Sequence, residues 1–358
     1  MILEKKFKLL VIGNKDRFIH LEKFLSELNK KGIETKLIYD LDYVNKFFEP
    51  NLIKKFSKKK KFEHILKTFK PTVILLDRIS RIAEDVIEKK IPLWILMRGN
   101  YWEEVRWAKE TIYKTRKQRL SVKRNEKLAD YCFKNSELIL PISKYLEGEI
   151  RKRYPEKNTV VFPADGRDPQ EWMNITNNEL KHPCVGLIQG LNVWGKTREL
   201  LTLNKVMKKL PEITFYLAGN GAYADEIIPK LTNNRNFVWL KNLEYPDEIR
   251  KFLSEIDVFL LLSGLEGLGQ VIIESLLMKK PTIASNVGGI PELISDNKTG
   301  LLIENGDIDM IVRKISKFFD EPEFCKEITN QGYEVIKREF SWTSIGEKFE
   351  LIIKEYSK

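Results

Sequence analysis

The densest chemistry in the sequence lies in residues 257–292, DVFLLLSGLEGLGQVIIESLLMKKPTIASNVGGIPE. An apolar strand runs to Ser263. A turn containing Gly264, Gly267 and Gly269 follows, and an apolar helix begins near Gln270. Glycines at such a junction let the backbone approach a ligand closely, and the free N–H groups and positive dipole end of the helix suit phosphate. Glu266 stands in the turn, from which a carboxylate can face a ligand. Glu274 lies eight residues on, in the first turns of the helix, where it can accept hydrogen bonds from ribose hydroxyls. A lone glutamate is most often a solvated or capping group. Two of them in this spacing, around a glycine turn and within an apolar helix, point to a binding site.

A site of this kind needs a scaffold, and the rest of the chain supplies the pattern of one. In the first half, residues 7–12, 35–39, 72–76, 92–97, 136–141 and 159–162 are apolar runs of strand length. Between the first two, Phe18, Leu21, Phe24, Leu25 and Leu28 recur at helical spacing up to the stop at Lys31-Gly32. The breaker-rich turn PADGRDP at 163–169 and the polar stretch 174–178 mark a boundary, after which the pattern restarts. Strands are predicted at 184–189, 213–217, 237–240, 258–262, 282–284 and 301–303, with a helix over about 196–210. Buried strands alternating with helices mean parallel sheets covered on both faces. The fold class is therefore α/β, with two Rossmann-like domains facing across a cleft, residues 1–168 and 169–340. The ligand is expected at the carboxyl ends of the strands. Arg98 and Asn100, just after the strand 92–97, are candidate substrate contacts on that ground.

Composition is consistent with this. A chain of 358 residues with 42% hydrophobic and 32% charged residues is ordinary for two globular domains and excludes global disorder. No run approaches the ~18 apolar residues of a membrane span, and the opening MILEKKFKLLVIGN lacks the apolar core of an export signal. The three cysteines, Cys132, Cys184 and Cys325, are far apart in sequence and odd in number. They fit a reducing cytosol, with neither a disulfide framework nor zinc spacing. With only three histidines in the chain, no metal site is expected. The net charge of +11 is divided unevenly. Residues 1–170 hold 39 of the 62 basic and 24 of the 51 acidic residues, leaving 23 and 27 for the remainder. A basic first half implies an anionic partner.

Two tracts concentrate that charge. Residues 54–61, KKFSKKKK, contain Lys54, Lys55, Lys58, Lys59, Lys60 and Lys61, interleaved or flanked by Phe47, Phe48, Leu52, Ile53, Phe56 and Phe62. A second tract over 106–124 contains Arg106, Trp107, Tyr113, Arg116, Lys117, Arg119, Lys123 and Arg124. Basic residues mixed with aromatics suit an anionic membrane surface. No nucleic-acid recognition motif accompanies them, so no nucleic-acid partner is expected. Gly219-Asn220-Gly221-Ala222-Tyr223-Ala224 fits a dinucleotide fingerprint. The acidic residue that should end the next strand is absent, however, and Lys241 stands there instead.

The run 257–307 resembles the family-4 retaining glycosyltransferases, which have the GT-B fold. Glu266-x7-Glu274 is similar to that family's paired-glutamate signature. Lys280-Pro281 with Ser285-Asn286-Val287-Gly288-Gly289-Ile290-Pro291-Glu292, and Thr299-Gly300-Leu301-Leu302 with Gly306-Asp307, look like its later motifs. The match covers about 135–358 in motifs and 1–134 in architecture alone. The resemblance implies a nucleotide-sugar donor held by the second domain, with no cofactor and no metal. It implies a catalytic Glu266 at the donor sugar and a Glu274 at the ribose. The amides of Gly267, Leu268 and Gly269, together with Gly219 and Asn220, would form substrate contacts. Lys196 in GLNVWGKTR would stabilise the leaving diphosphate, a cation with aimed N–H groups doing this without a metal. The family's arginine before that lysine is missing, and Arg198 is the candidate replacement. A closing helix over about 341–358 would return to the first domain. The acceptor would be a glycan or lipid-linked molecule, and the enzyme cytoplasmic, on the inner membrane face. A catalytically silent adaptor and a nucleotide-sugar epimerase are the alternatives, and an adaptor has no need for both glutamates.

Overall fold

The computed structural model describes residues 7–44, 52–175 and 179–357, with the backbone alone for residue 16 and residues 52–56. Residues 1–6, 45–51, 176–178 and 358 lie outside it, and with them Phe47, Phe48 and part of the polar boundary stretch. The chain forms two compact units. One comprises residues 1–98, 113–166 and 342–358, the other 99–112 and 167–341. Residues 99–112, read above with the first domain, group with the second unit.

The first unit holds a five-stranded sheet in the order β2-β1-β3-β4-β5. Its strands are β1 (Lys8–Gly13), β2 (Glu34–Tyr39), β3 (Val73–Asp77), β4 (Leu93–Met97) and β5 (Leu138–Pro141). All pairings are parallel. β3, β4 and β5 are buried along their whole length, which is why each reads as a continuous apolar run. Residues 159–162, expected as a strand, run beside β5 with a single bridge from Thr159 to Ile139. Val160 N–H donates to the Ile139 carbonyl at 3.1 Å and Phe162 N–H to that of Pro141 at 2.8 Å. The segment follows the sheet edge without becoming a full strand. Phe24, Phe162, Trp94 and Phe349 cluster in the core, with Phe349 5.1 Å from Phe24 and from Phe162 and 6.0 Å from Trp94, ring centre to ring centre. Phe349 comes from the helix Trp342–Tyr356, which packs on the helix Phe18–Lys30.

The second unit holds a six-stranded sheet ordered β11-β10-β9-β6-β7-β8. The strands are β6 (Cys184–Ile188), β7 (Thr214–Ala218), β8 (Phe237–Lys241), β9 (Val258–Leu261), β10 (Thr282–Ser285) and β11 (Leu301–Ile303), again all parallel. The core between sheet and helices is aliphatic, built on residues such as Val185, Leu187, Leu260, Ile283 and Ile311. The helix expected over about 196–210 is broken into three pieces, Trp194–Thr197, a 3-10 stretch Arg198–Thr202, and Leu203–Lys209. Among the described residues no helix is long and apolar enough to cross a membrane.

Candidate functional site

In the second sheet the strand order reverses between β6 and β9, because the chain adds β7 and β8 on one side and β9 to β11 on the other. Loops leaving the carboxyl ends at such a reversal diverge and leave a crevice. The chain beyond β6 reaches Lys196, and the chain beyond β9 reaches Glu266. Folding brings the two together, with Lys196 Nζ 3.1 Å from Glu266 Oε2. Their side chains keep 24% and 13% exposure, so a ligand can reach both. Ser263 Oγ donates to Glu266 Oε1 at 3.2 Å, which orients the carboxylate.

The turn around Glu266 is held by backbone contact. Gly288 and Gly289 press against it, and an added Cβ would lie 1.9 Å from the Glu266 carbonyl oxygen at the first and 2.2 Å from that of Gly267 at the second. No side chain fits there, which gives the VGG motif a physical reason. Gly289 N–H donates to the Glu266 carbonyl at 3.2 Å. Gly269 caps the helix Gln270–Leu277 with φ 90°, a left-handed conformation that favours glycine. The amides of Gly267, Leu268 and Gly269 therefore lie in the lead-in to that helix.

Glu274 sits on this helix and is buried, with 6% side-chain exposure. Its Oε1 accepts from Arg167 Nε at 3.0 Å and Nη2 at 2.7 Å. Arg167, itself 3% exposed, lies in the junction segment PADGRDP. Sequence reasoning missed it, because its partner lies 107 residues away.

Trp107 was missed in a different way. The sequence places it among the aromatics of a basic membrane tract, whereas in the fold it covers Gly195, where an added Cβ would lie 2.7 Å from the indole. The guanidinium of Arg198 stacks on the same ring at 4.6 Å, and that of Arg106 at 4.5 Å. Trp107 thus braces the turn that carries Lys196. Its helix, Tyr101–Thr111, is tied down further by a hydrogen bond between Thr111 and Tyr223. Gln189 Nε2 donates to the Lys196 carbonyl at 3.0 Å. Gln189 Oε1 and both amide atoms of Gln270 are buried without a partner among the described residues, so the site has unused hydrogen-bonding capacity. Gly219 and Asn220 border the same loops, the Asn220 carbonyl accepting from Leu191 N–H at 3.0 Å and that of Gly219 from Trp239 Nε1 at 2.8 Å.

Arg98 and Asn100, expected as substrate contacts, are committed elsewhere. Asn100 is 2% exposed and caps the helix Tyr101–Thr111 by accepting from Glu103 N–H at 3.2 Å. Arg98 is buried in the first unit, donating from Nε to Asp77 at 2.5 Å and from Nη1 to Asp165 at 2.7 Å, and Arg17 also donates to Asp165. Burial pulls the Arg98 pKa down, but Asp165 and Asp77 outweigh it and hold the guanidinium above its ordinary value. Burial, with the repulsion of Arg98, leaves Arg17 below its own.

Part of the expectation for the basic tract 54–61 is also corrected. Phe62 is 1% exposed and belongs to the core, so it cannot insert into a bilayer. Lys58 donates to the carbonyls of Leu41 and Val44 at 2.6 and 2.9 Å, and Lys59 lies 3.5 Å from Asp85. A group of potential metal ligands also comes together, which the sequence spacing does not reveal. His182, Cys184 and Asp257 converge at the amino ends of β6 and β9. A cavity of about 540 Å³, lined by Trp172, Met278, Tyr333 and Lys337 among others, lies at the carboxyl end of the helix Gln270–Leu277, away from Glu266.

Comparison with solved structures identifies the architecture. Sucrose-phosphate synthase from Thermosynechococcus elongatus superposes with a TM-score of 0.76 over 98% of both chains at 15% identity. Anabaena HepE, solved with UDP and glucose, gives 0.67 over 98% of this chain and 100% of that one at 14% identity. The chain has the GT-B fold. Residues 192–335, which lie within the second unit, match the family model of glycosyl transferases group 1. An uncharacterized glycosyltransferase of Methanocaldococcus jannaschii is 27% identical over 59% of this chain and 58% of its own length. The sulfoquinovosyl transferase of Arabidopsis thaliana is 28% identical over 49% of this chain and 34% of its own. The chain thus spans less than two thirds of either relative.

Proposed function

We propose that the chain is a retaining glycosyltransferase of the family-4 type, moving a sugar from a nucleotide-activated donor to a glycan or lipid-linked acceptor. The observation that carries this reading is the Lys196–Glu266 pair at the strand-order reversal of a group 1 domain. In this reading the second unit holds the donor. Glu274, oriented by Arg167, takes the ribose. Gly267, Leu268 and Gly269 offer amides to the diphosphate. Lys196 leaves Glu266 to meet the charge that grows on the departing phosphate, and no metal is needed for that step. Arg198 on Trp107 replaces the arginine missing before Lys196. Gly219 and Asn220 line the far side of the donor. The test is a thermal-shift screen of the full chain with UDP, GDP, ADP and their sugar conjugates. A ligand at a hundred times its Kd adds about 2.7 kcal/mol, or roughly 5–10 °C for a unit of this size. A shift with one base and its conjugates supports the reading. No shift with any at millimolar concentration would leave the adaptor, and conversion of the bound nucleotide sugar to its epimer without transfer would leave the epimerase.

The basic surface supports a membrane-facing acceptor side. Lys60 and Lys61 are exposed, and so are Arg116, Lys117, Arg119 and Lys123 on the helix Arg116–Asn135. With Phe62 in the core, attraction to anionic headgroups would be electrostatic at these positions.

A further inference from the structure

The strands whose carboxyl ends lead to Lys196 and Glu266 carry a second constellation at their amino ends. Cys184 opens β6, Asp257 immediately precedes β9, and the pairing of Val185 with Val258 sets the two side by side. His182 stands two residues before Cys184. Its Nδ1 is 2.8 Å from Asp257 Oδ2 and 3.6 Å from Cys184 Sγ, and the three ligand atoms all lie within 4.8 Å of one another. The backbone N–H of Cys184 donates to the same Asp257 oxygen at 2.8 Å, which fixes the carboxylate beside the thiol.

We propose that His182, Cys184 and Asp257 form a site for a borderline-soft divalent cation of the zinc type, separate from the donor site. One imidazole nitrogen, one thiolate sulfur and one carboxylate oxygen match the ligand preference of zinc, whereas calcium and magnesium favour shells of oxygen. The spacing matches as well. Zn–N and Zn–S bonds of about 2.05 and 2.3 Å at a tetrahedral angle require an N···S edge of about 3.6 Å, and the His182–Cys184 edge already has that length. The corresponding N···O edge is about 3.3 Å, so the His182–Asp257 contact must open by about half an ångström. His182 can make that move, since its side chain is 43% exposed, and the same exposure gives the ion a route in. Water completes the fourth position. Lys280 is near the cluster, but its ammonium is engaged by the carbonyls of Ser254 and Ile256 at 2.6 and 3.0 Å. At about 3.3 Å per residue a five-residue strand spans about 17 Å, which keeps a bound ion out of reach of the chemistry at the other end.

The experiment uses the full chain, stripped with a chelator, desalted and titrated with Co²⁺ alone. A tetrahedral site with a thiolate ligand gives strong visible bands and a sulfur-to-cobalt charge-transfer band in the near ultraviolet. One equivalent per chain is expected, displaced by zinc, with the charge-transfer band lost in Cys184→Ser and the affinity at least tenfold weaker in His182→Gln. Cys184 is fully buried and its replacement can unfold the chain. His182→Gln, at an exposed position, keeps the test decisive in that event. Absence of the charge-transfer band in wild type, or an unchanged titration in His182→Gln, overturns the proposal.

Discussion

Replacing Glu274 by glutamine separates what the residue does for the fold from what it does for a ligand. Glu274 and Arg167 are 6% and 3% exposed at the side chain, and two guanidinium nitrogens share one carboxylate oxygen at 3.0 and 2.7 Å. Taking the charge from one partner breaks a buried ion pair, a loss of about 3–5 kcal/mol. In a unit of 150–250 residues each kcal/mol moves Tm by about 2–4 °C. Glu274→Gln should therefore lower Tm by about 6–20 °C with no ligand present. The pair Arg167→Met with Glu274→Leu should recover much of this, because replacing both ions by apolar groups removes the unpaired charge. Scanning calorimetry of the three chains without nucleotide is the assay. A single variant melting within about 2 °C of wild type would refute the reasoning, and so would a double variant less stable than Glu274→Gln alone.

Lys196→Ala should lower kcat by about 10²–10³ once the donor is known, the usual loss when one group aimed at a developing anion is removed; an unchanged single-turnover rate would remove it from the chemistry. Transfer should survive EDTA, while Tm falls if the His182 cluster holds an ion; loss of activity restored by magnesium would place a metal in the reaction. Anionic vesicles should retain the wild-type chain at low salt and release it at 1 M, where screening shortens the field to about 3 Å. Reversing Arg116, Lys117 and Arg119 to glutamate should abolish retention at about 1 kcal/mol or more per site, and equal co-sedimentation of the two chains would argue against membrane docking.

What the sequence could reveal was set by the range of the interactions. β3 and β4 are buried on both faces, so their composition alone declared them. Glu266, the glycines and Glu274 were legible because one turn and one helix hold them within a few residues. Arg167 and Glu274 are 107 residues apart, and His182 and Asp257 are 75 apart. No local period encodes such pairs. They follow from which strands become neighbours, as β6 and β9 do. Trp107 misled because an aromatic among arginines reads as a membrane patch, whereas here the arginines stack on it. The broken helix after Trp194 has a similar origin, since apolar spacing does not distinguish a 3-10 stretch from an α-helical one.

The chain passes from one unit to the other at 98/99, 112/113, 166/167 and 341/342. Neither unit is a continuous stretch of gene, and this bears on synthesis and on recombination. As the chain leaves the ribosome, the first unit lacks Phe349, the ring between Phe24, Phe162 and Trp94, until residues 342–358 have been made. The second unit ends at residue 341, so all of its residues are synthesised before that closing helix is. A chimera joined at a single point near 167 would keep the group 1 motifs but leave Trp107 behind, with a foreign segment over Gly195 and Lys196. With the second unit holding the donor as proposed, exchanging donor specificity should therefore require moving residues 99–112 together with 167–341, as two inserts rather than one.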